Sequence, residues 1–322
     1  MNKYLQINNY IDKLADNFRW ILQKPISLFE HHYLYHRLTE SENDQPVFII
    51  GAPRTGSTIL YQALTNTYDL TYIDNLASKW HRNLLFGAWL SDKKFKGRPH
   101  NNFKAKHGNT GQYGKRAPNE CGQFWYRWLP RDRHFIDYKD IDASCVDEIR
   151  HSVNAVIQYF GKPILFKNLN AGQRLRLLQQ AFPNAKFIYL RRDPRFIVRS
   201  IMTARKRANV NQKQWWSVKP ANFETLLSLP EPEMCAAQVF YLEQQIEEDL
   251  KLFPKENVRE VHFQQLSEDM ICSLGEWIGV SKRLLGTMPT FKKDHLNALD
   301  VDELKRLEVT INKYPFGNSV FI

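Results

Sequence analysis

The chain has 322 residues, of which 43% are hydrophobic and 25% charged, a balance typical of a globular protein that excludes a disordered or fibrous chain. The formal net charge of +11 favours anionic partners such as nucleotides and sulfated or phosphorylated groups. Because the basic residues are spread along the chain, without a basic block or a zinc-finger spacing, we expect no nucleic-acid partner.

The N-terminus and the cysteines favour a cytoplasmic protein. The first residues contain no apolar stretch of the kind found in a secretory signal, and no apolar run is long enough for a transmembrane span. The four cysteines lie far apart and form no C-x-x-C pair, as expected for free thiols in a reducing compartment.

The chain begins with a segment of helical character. Residues 5 to about 38 carry apolar side chains near helical spacing, so we expect a helical extension over residues 1–45, interrupted at Pro25. Its part from Phe29 to His36 is rich in aromatic and His residues, and could make peripheral contact with a membrane or with the apolar portion of an acceptor. An apolar stripe on a helix more often packs on its own domain, and both alternatives stay open.

A strand and a Gly-bounded turn follow. The apolar run Val47 to Ile50 is typical of a central strand that is covered on both faces. The turn from Gly51 to Gly56 leads into a helix opened by Ser57 and Thr58, where unpaired N–H groups favour an anion. The spacing fits the phosphate-loop pattern except that Ser57 occupies the position of its Lys, so the loop lacks the group that triphosphate chemistry uses.

The rest of the pattern alternates strands with helices. We expect strands near residues 69–74, 163–168, 185–190 and 258–263, and helices near 146–160, 175–182, 195–207, 234–253 and 266–278. This alternation predicts a three-layer α/β fold with a central parallel sheet flanked by helices. The stretch from about 79 to 135 is the least regular and is rich in Gly and aromatic residues, so we expect an insertion that forms a lid or wall for an acceptor.

A second basic turn follows the strand near residues 185–190. It reads Arg191-Arg192-Asp193-Pro194-Arg195, and Ser200, two helical turns beyond Arg192, could face the same anion. Because parallel sheets bind ligands at the carboxyl ends of their strands, two anion sites would lie at one edge of the sheet. A nucleotide with phosphate groups at both ends of its ribose would need this arrangement.

These motifs, in this order, resemble the sulfotransferase family that uses 3′-phosphoadenosine 5′-phosphosulfate (PAPS). The family's P-R-x-G-[ST]-[ST] loop, which grips the 5′-phosphosulfate, stands here as Pro53 to Thr58. Its R-[DN]-P turn with a following Ser, which grips the 3′-phosphate, stands here as Arg192-Asp193-Pro194 with Ser200. The resemblance covers about residues 46–280 without the insertion, and implies a P-loop-like sulfotransferase domain over residues 46–322.

The resemblance implies PAPS as co-substrate, no metal, and a set of binding residues, which are Arg54, Thr55, Gly56, Ser57, Thr58, Arg192 and Ser200. Lys167 resembles a Lys that the family often has at a strand end, and would act on the bridging oxygen or on the acceptor. A surface salt bridge is the alternative for this Lys.

Three residues are candidates for the general base. Many relatives place a Glu shortly after the loop helix, and here Asp74 occupies that region. Glu120 and His107 lie in the insertion, where an acceptor would bind. Asp74 and Glu120 are equal candidates and His107 follows them. Either carboxylate could instead cap a helix, and His107 could be a solvated loop residue.

The resemblance implies transfer of a sulfuryl group from PAPS to a hydroxyl or amine of a carbohydrate, lipid or small-molecule acceptor. One alternative is a nucleotide kinase or another phosphate-loop transferase, against which Ser57 argues. Another is a non-catalytic protein that holds a phosphoadenosine nucleotide or a polyanion.

Overall fold

The structure is a computed structural model, and it describes residues 20–37, 45–106, 108–211, 213–296 and 299–317. The expectations for residues 5–19 and for His107 lie outside these ranges. Across the described residues, no helix is both long and apolar enough to cross a membrane.

Five parallel strands form the central sheet. They are β1 (Val47–Ile50), β2 (Thr71–Tyr72), β3 (Ile164–Lys167), β4 (Lys186–Arg191) and β5 (Val258–His262). Their order across the sheet is β2-β3-β1-β4-β5, and every neighbouring pair is parallel. Helices cover both faces, so the predicted three-layer α/β fold is confirmed.

The helices agree with the predicted pattern except in four places. Residues 20–29 form α1, which continues through a π-helical turn (Glu30–Leu34) and a 3-10 turn (Tyr35–Arg37). The others are α2 (Ser57–Thr67), α3 (Leu84–Phe95), α4 (Gly122–Trp125), α5 (Ala143–Phe160), α6 (Leu175–Ala181), α7 (Pro194–Arg207), α8 (Phe223–Leu226), α9 (Glu231–Leu250), α10 (Glu268–Ile278) and α11 (Val301–Ile311).

Two of these helices, α3 and α4, lie inside the stretch expected to be irregular, and the other two, α8 and α11, were not predicted. The spacing of Leu304, Leu307 and Ile311 is helical. Asp300 caps the helix, its Oδ1 accepting from the backbone N–H of Asp302 at 3.0 Å. The signal for α11 was therefore present in the sequence.

Apolar packing on both faces of β1 holds the sheet together. Phe48 and Ile50 belong to the core on one face, and Val47 and Ile49 belong to the core on the other face. The ring of Phe48 stacks on Phe166 of β3 and Phe187 of β4, with centroids 5.5 and 5.6 Å apart. Burying one such side chain contributes about 1.5–3 kcal/mol. This packing fixes the carboxyl ends of three strands side by side.

The described part of the N-terminal extension packs on α3. The Phe29 ring lies 5.4 Å from that of Trp89, and the Glu30 carboxylate accepts from Asn83 Nδ2 at 2.7 Å and from the Phe86 N–H at 2.8 Å. Burial raises the pKa of Glu30. These contacts favour the packing alternative, while the proposed boundary at residue 45 stays a prediction.

Candidate active site

The strand order brings the two basic turns into direct contact. β1 and β4 are neighbours, so the turn after each strand leaves the same edge of the sheet. Arg192 Nη1 donates to the backbone oxygen of Arg54 at 2.7 Å, and Arg54 Nε donates to Ser200 Oγ at 2.9 Å. Arg54 thus joins two motifs that are far apart in the chain.

Steric limits explain the two glycines of the loop after β1. Gly51 has φ 149°, and a Cβ there would overlap the carbonyl oxygen of Leu190. Gly56 has φ 91°, and its Cβ would lie 2.5 Å from the Phe263 ring. Gly56 also precedes the first turn of α2, which has no side-chain cap. The unpaired N–H groups of that turn suit an anion.

A cavity of about 550 Å³ lies between this loop, the end of β3 and the insertion. Arg54, Gly56, Ser57 and Thr58, four of the residues expected to bind the nucleotide, line it. Thr55 does not line it, because this side chain is fully buried and its Oγ1 donates to the Ala52 oxygen at 3.1 Å. The Thr55 side chain therefore holds the turn in shape. We call this cavity the loop cavity.

Three chemically active groups surround one small space in the loop cavity. A Cβ on Gly108 would lie 3.4 Å from Thr58 Oγ1, 3.8 Å from Lys167 Nζ and 4.0 Å from Glu120 Oε1. Lys167 forms an ion pair with Glu120; the Lys side chain is 3% exposed and that of Glu120 is 42% exposed. The pair supplies the counter-charge that a buried ammonium needs. The exposed carboxylate can accept a proton from a bound molecule.

Asp74 lies elsewhere and is fully buried. Its Oδ1 accepts from the N–H groups of Leu76 and Ala77 at 3.0 and 2.8 Å, and its Oδ2 binds Arg116 Nη1 at 3.1 Å and the Ser91 hydroxyl. Both carboxylate oxygens are occupied, and Asp74 is not part of the loop cavity's lining. The geometry favours the helix-capping alternative for this residue. Of the three base candidates, the structure brings Glu120 to the loop, and His107 is outside the described residues.

A second cavity of about 310 Å³ adjoins the first, and Arg54 and Arg192 line both. We call it the basic cavity, because three more cationic residues line it, namely Arg199, Arg207 and Lys293. Burial lowers the pKa of Arg54, and the charges of Arg192 and Arg207 lower it further. Positive charge therefore exceeds negative charge here, and a bound anion would relieve the repulsion.

Asp294 supplies the opposing charge in the basic cavity. Its carboxylate takes a bidentate pair of hydrogen bonds from Arg192, at 2.7 Å from Nε and 2.6 Å from Nη2. The Arg192 guanidinium also lies 4.5 Å above the Phe263 ring. A fork of this kind matches a phosphate as well as a carboxylate. The Asp294 carboxylate thus lies where a phosphate group would bind the Arg192 guanidinium.

The other two arginines of the second turn have structural partners. Arg191 binds Glu243 at 3.1 Å, and Arg195 binds Glu308 at 3.2 Å as well as the adjacent Asp193. Arg191 and Arg195 line neither cavity. Among the arginines of this turn, Arg192 lines both cavities, and its predicted role in binding a phosphate stays a prediction.

The sequence model of the sulfotransferase family matches residues 46–276, which include both basic turns, Glu120 and Lys167. The chain belongs to the sulfotransferase family. Among solved structures, the sulfotransferase resembles STF1 from Mycobacterium tuberculosis, with 12% identity over 93% of this chain and 83% of that chain, and a TM-score of 0.51. At this identity, the likeness shows a shared fold.

Two further solved structures are similar to this chain. STF9 from Mycobacterium avium is 13% identical, over 90% of this chain and 73% of that chain, with a TM-score of 0.48. The sulfotransferase domain from the curacin biosynthetic pathway is 12% identical, over 87% of this chain and 96% of that chain, with a TM-score of 0.42. A search of curated protein sequences gives no match.

Several residues of the sulfotransferase site were missed from sequence. Arg207 lies seven residues after Ser200 on α7, so helical spacing could have placed both on one face. Asp294 and Lys293 follow the last predicted helix in a segment without a periodic signal. Within the described residues, no group of three His, Cys, Asp or Glu side chains is arranged to hold a metal ion.

The insertion supplies part of the loop cavity's wall, though not through its tryptophans. Phe103, Ala105, Gly108 and Glu120 line the loop cavity. Trp125 is buried in the core, while Trp80 and Trp128 line a different cavity. The insertion therefore lines this cavity, its role as a wall for an acceptor stays a prediction, and most of its tryptophans pack in other parts of the fold.

Replacing Asp74 with Asn should destabilise the protein without abolishing any turnover. The amide keeps an acceptor for the Leu76 and Ala77 N–H groups but loses the charge that Arg116 binds. A hydrogen bond to a charged group contributes about 1.5–3 kcal/mol, so we expect a loss of that size in the free energy of unfolding, measured by urea denaturation. An unchanged stability together with lost turnover would instead assign Asp74 to catalysis.

Proposed function

We propose that this sulfotransferase moves a sulfuryl group from PAPS to a hydroxyl or amine of a carbohydrate, lipid or small-molecule acceptor. The observation that carries the proposal is the contact of the two basic turns through Arg54. PAPS is negatively charged at both ends of its ribose. The loop cavity would receive the 5′-phosphosulfate and the basic cavity the 3′-phosphate, so one molecule would bridge both.

The residues of the two cavities fit this co-substrate. Ser57 and Thr58 offer hydroxyls, and the uncapped start of α2 offers N–H groups to the 5′ end. Arg192 and Ser200 would hold the 3′-phosphate, with Arg207 adding positive charge. The excess of cations over the single carboxylate of Asp294 in the basic cavity favours a ligand with a high negative charge.

The ion pair in the loop cavity suits general-base catalysis. When bound, PAPS supplies the sulfuryl group, and 3′,5′-adenosine bisphosphate is the leaving molecule. Glu120 would take the proton of the acceptor hydroxyl while that oxygen attacks in line. Lys167 orients Glu120, and with Arg54 would offset the charge that develops on the leaving oxygen.

The residues of the loop cavity argue against two other functions, those of a nucleotide kinase and of a non-catalytic nucleotide-binding protein. A nucleotide kinase needs a Lys in the loop, and Ser57 stands in its place. A non-catalytic nucleotide-binding protein would have no use for a carboxylate and a buried ammonium beside Thr58 in the loop cavity. The contact of Lys167 with Glu120 therefore favours an enzyme.

The test of the proposed function is an acceptor screen with sulfur-labelled PAPS in buffer without magnesium. We expect labelled product with at least one acceptor and stoichiometric 3′,5′-adenosine bisphosphate. Binding of this bisphosphate without any transfer across all three acceptor classes would favour the non-catalytic alternative. Failure of the bisphosphate to bind would contradict the proposal.

Replacing Asp294 with Asn should strengthen nucleotide binding. In the structure, the carboxylate competes for the Arg192 fork that the 3′-phosphate would use. Removing this competitor should lower the Kd of 3′,5′-adenosine bisphosphate by about fivefold to tenfold, measured by isothermal titration calorimetry. The control is Glu248→Gln, which removes the exposed partner of Lys251 outside both cavities and should leave the Kd unchanged. A weaker or equal affinity in Asp294→Asn would contradict this competition.

A further inference from the structure

A third cavity lies outside the two already described. It measures about 760 Å³ and is formed by α1, the residues before α3, and the segment around α4. Four cationic residues line it, which are Lys79, Arg82, Arg127 and Arg131, and Glu148 is its carboxylate. We call it the arginine cavity. Its excess of positive charge indicates an anionic ligand.

Aromatic rings hold two of these guanidinium groups in place. The Arg127 guanidinium lies 4.2 Å above the Trp128 ring, and that of Arg131 lies 5.2 Å above the Tyr126 ring. Arg131 Nη2 also donates to Gln123 Oε1 at 2.8 Å. Guanidinium groups that are positioned before binding lose less freedom when they bind a carboxylate or sulfate.

Among the described residues, Glu148 is the carboxylate that lines the arginine cavity, and it does not neutralise the cavity. Glu148 Oε2 accepts from Trp128 Nε1 at 2.7 Å and lies 4.0 Å from Arg127 Nη2, which is a long ion pair. Burial lowers the pKa of Arg127, and the nearby positive charge of Arg82 lowers it further. The negative charge of Glu148 raises this pKa and offsets part of the effect of burial. Positive charge is thus left for a ligand to bind.

A hydrogen bond connects the lining of the arginine cavity with that of the loop cavity. Asn170 lines the loop cavity, and its Nδ2 donates to the hydroxyl of Tyr126, which lines the arginine cavity, at 2.8 Å. Gln123, another lining residue, follows Glu120 by three positions. A molecule bound in the arginine cavity could therefore extend over this partition to Glu120.

The lining also indicates the chemistry of the ligand. None of the described residues that line the arginine cavity is aliphatic, and its apolar surface comes from the aromatic rings of Trp20, Trp80, Tyr126 and Trp128. Side-chain amides and a hydroxyl are present instead, from Gln23, Asn83, Gln123 and Ser78. Amides and hydroxyls form hydrogen bonds with sugar hydroxyls, while arginines bind carboxylates and sulfates.

We infer that the arginine cavity is an acceptor subsite that binds the carboxylate or sulfate of an acidic saccharide, and that a neighbouring hydroxyl of this saccharide reaches Glu120. The inference rests on the proposed function and narrows its acceptor to one class.

The test uses the full-length protein saturated with 3′,5′-adenosine bisphosphate, so that the loop and basic cavities are occupied. Oligogalacturonate and the neutral maltohexaose serve as probes, and binding is followed by calorimetry. We expect oligogalacturonate to bind and maltohexaose to bind far more weakly. In Arg127→Gln and Arg131→Gln, the Kd of oligogalacturonate should rise by about tenfold or more, because each change removes a charge-assisted contact.

Two controls make this result specific. Arg133→Gln removes the same charge nearby, at a residue that pairs with Asp140 outside the cavity, and should leave oligogalacturonate binding unchanged. The Kd of the bisphosphate should stay within about twofold in all three variants. An equal loss in Arg133→Gln, unchanged affinity in the other two, or preference for anionic phospholipid vesicles over oligogalacturonate would overturn the inference. Failure of the bisphosphate itself to bind would instead contradict the proposed function.

Discussion

The Glu120→Gln variant is expected to lose sulfuryl transfer while it still binds nucleotide. The amide has nearly the same size and keeps an oxygen that can accept from Lys167, but it no longer takes a proton from the acceptor. General-base catalysis contributes about 10²–10⁴-fold, so kcat should fall by about that factor. Single-turnover measurements with labelled PAPS test the chemical step, and calorimetry tests the affinity for 3′,5′-adenosine bisphosphate.

The control for this variant is Glu247→Gln. Glu247 is a half-exposed partner of Arg191 that lines neither cavity, so its substitution should leave kcat near the wild-type value. Thermal unfolding of Glu120→Gln should also be recorded, because the buried Lys167 loses its counter-charge. Full turnover in a folded Glu120→Gln protein would reject Glu120 as the base.

Replacing Arg192 with Ala should cause the largest loss of nucleotide affinity. Its guanidinium contacts the Arg54 turn and offers a fork to the basic cavity, so the variant would lose both the phosphate contact and part of the junction between the cavities. Removing one partner of a desolvated charge pair costs about 2–5 kcal/mol, which raises Kd by about 30-fold to several thousand-fold. Calorimetry with 3′,5′-adenosine bisphosphate measures this change.

Two matched variants accompany Arg192→Ala. Ser200→Ala removes one hydroxyl contact and should weaken binding by about tenfold or less. Arg259→Ala removes an exposed guanidinium that lies over Trp277, outside both cavities, and should leave Kd unchanged. If Arg192→Ala and Ser200→Ala both fold and bind with wild-type affinity, Arg192 and Ser200 do not hold the 3′-phosphate.

The parts of the fold that were predicted from sequence depend on local signals. The apolar run before Gly51 predicts a strand that is buried on both faces. Gly51 and Gly56 mark a turn in which a Cβ at either position would overlap a neighbouring group. The second basic turn could be placed at the same edge because parallel strands end on one side of a sheet. The helix α3 was not predicted, because Gly87 and the surrounding aromatic residues obscure the helical spacing of its apolar side chains.

The parts of the site that were not predicted depend on contacts between distant residues. The sequence left Asp74 and Glu120 as equal candidates, and the partners that separate them, Arg116 and Lys167, lie 42 and 47 positions away in the chain. Asp294 reaches Arg192 across 102 positions, from an extended segment whose path only tertiary packing sets. Local sequence patterns contain no information on contacts between residues that are this far apart in the chain.

The most direct measurement is a magnesium-free calorimetric comparison of 3′,5′-adenosine bisphosphate with 5′-AMP and 3′-AMP. If Arg54 joins two cavities that hold opposite ends of one nucleotide, each chain binds one molecule of the bisphosphate. Each monophosphate then binds at least about tenfold more weakly. Equal affinities for all three nucleotides, or no binding of the bisphosphate, would contradict that arrangement.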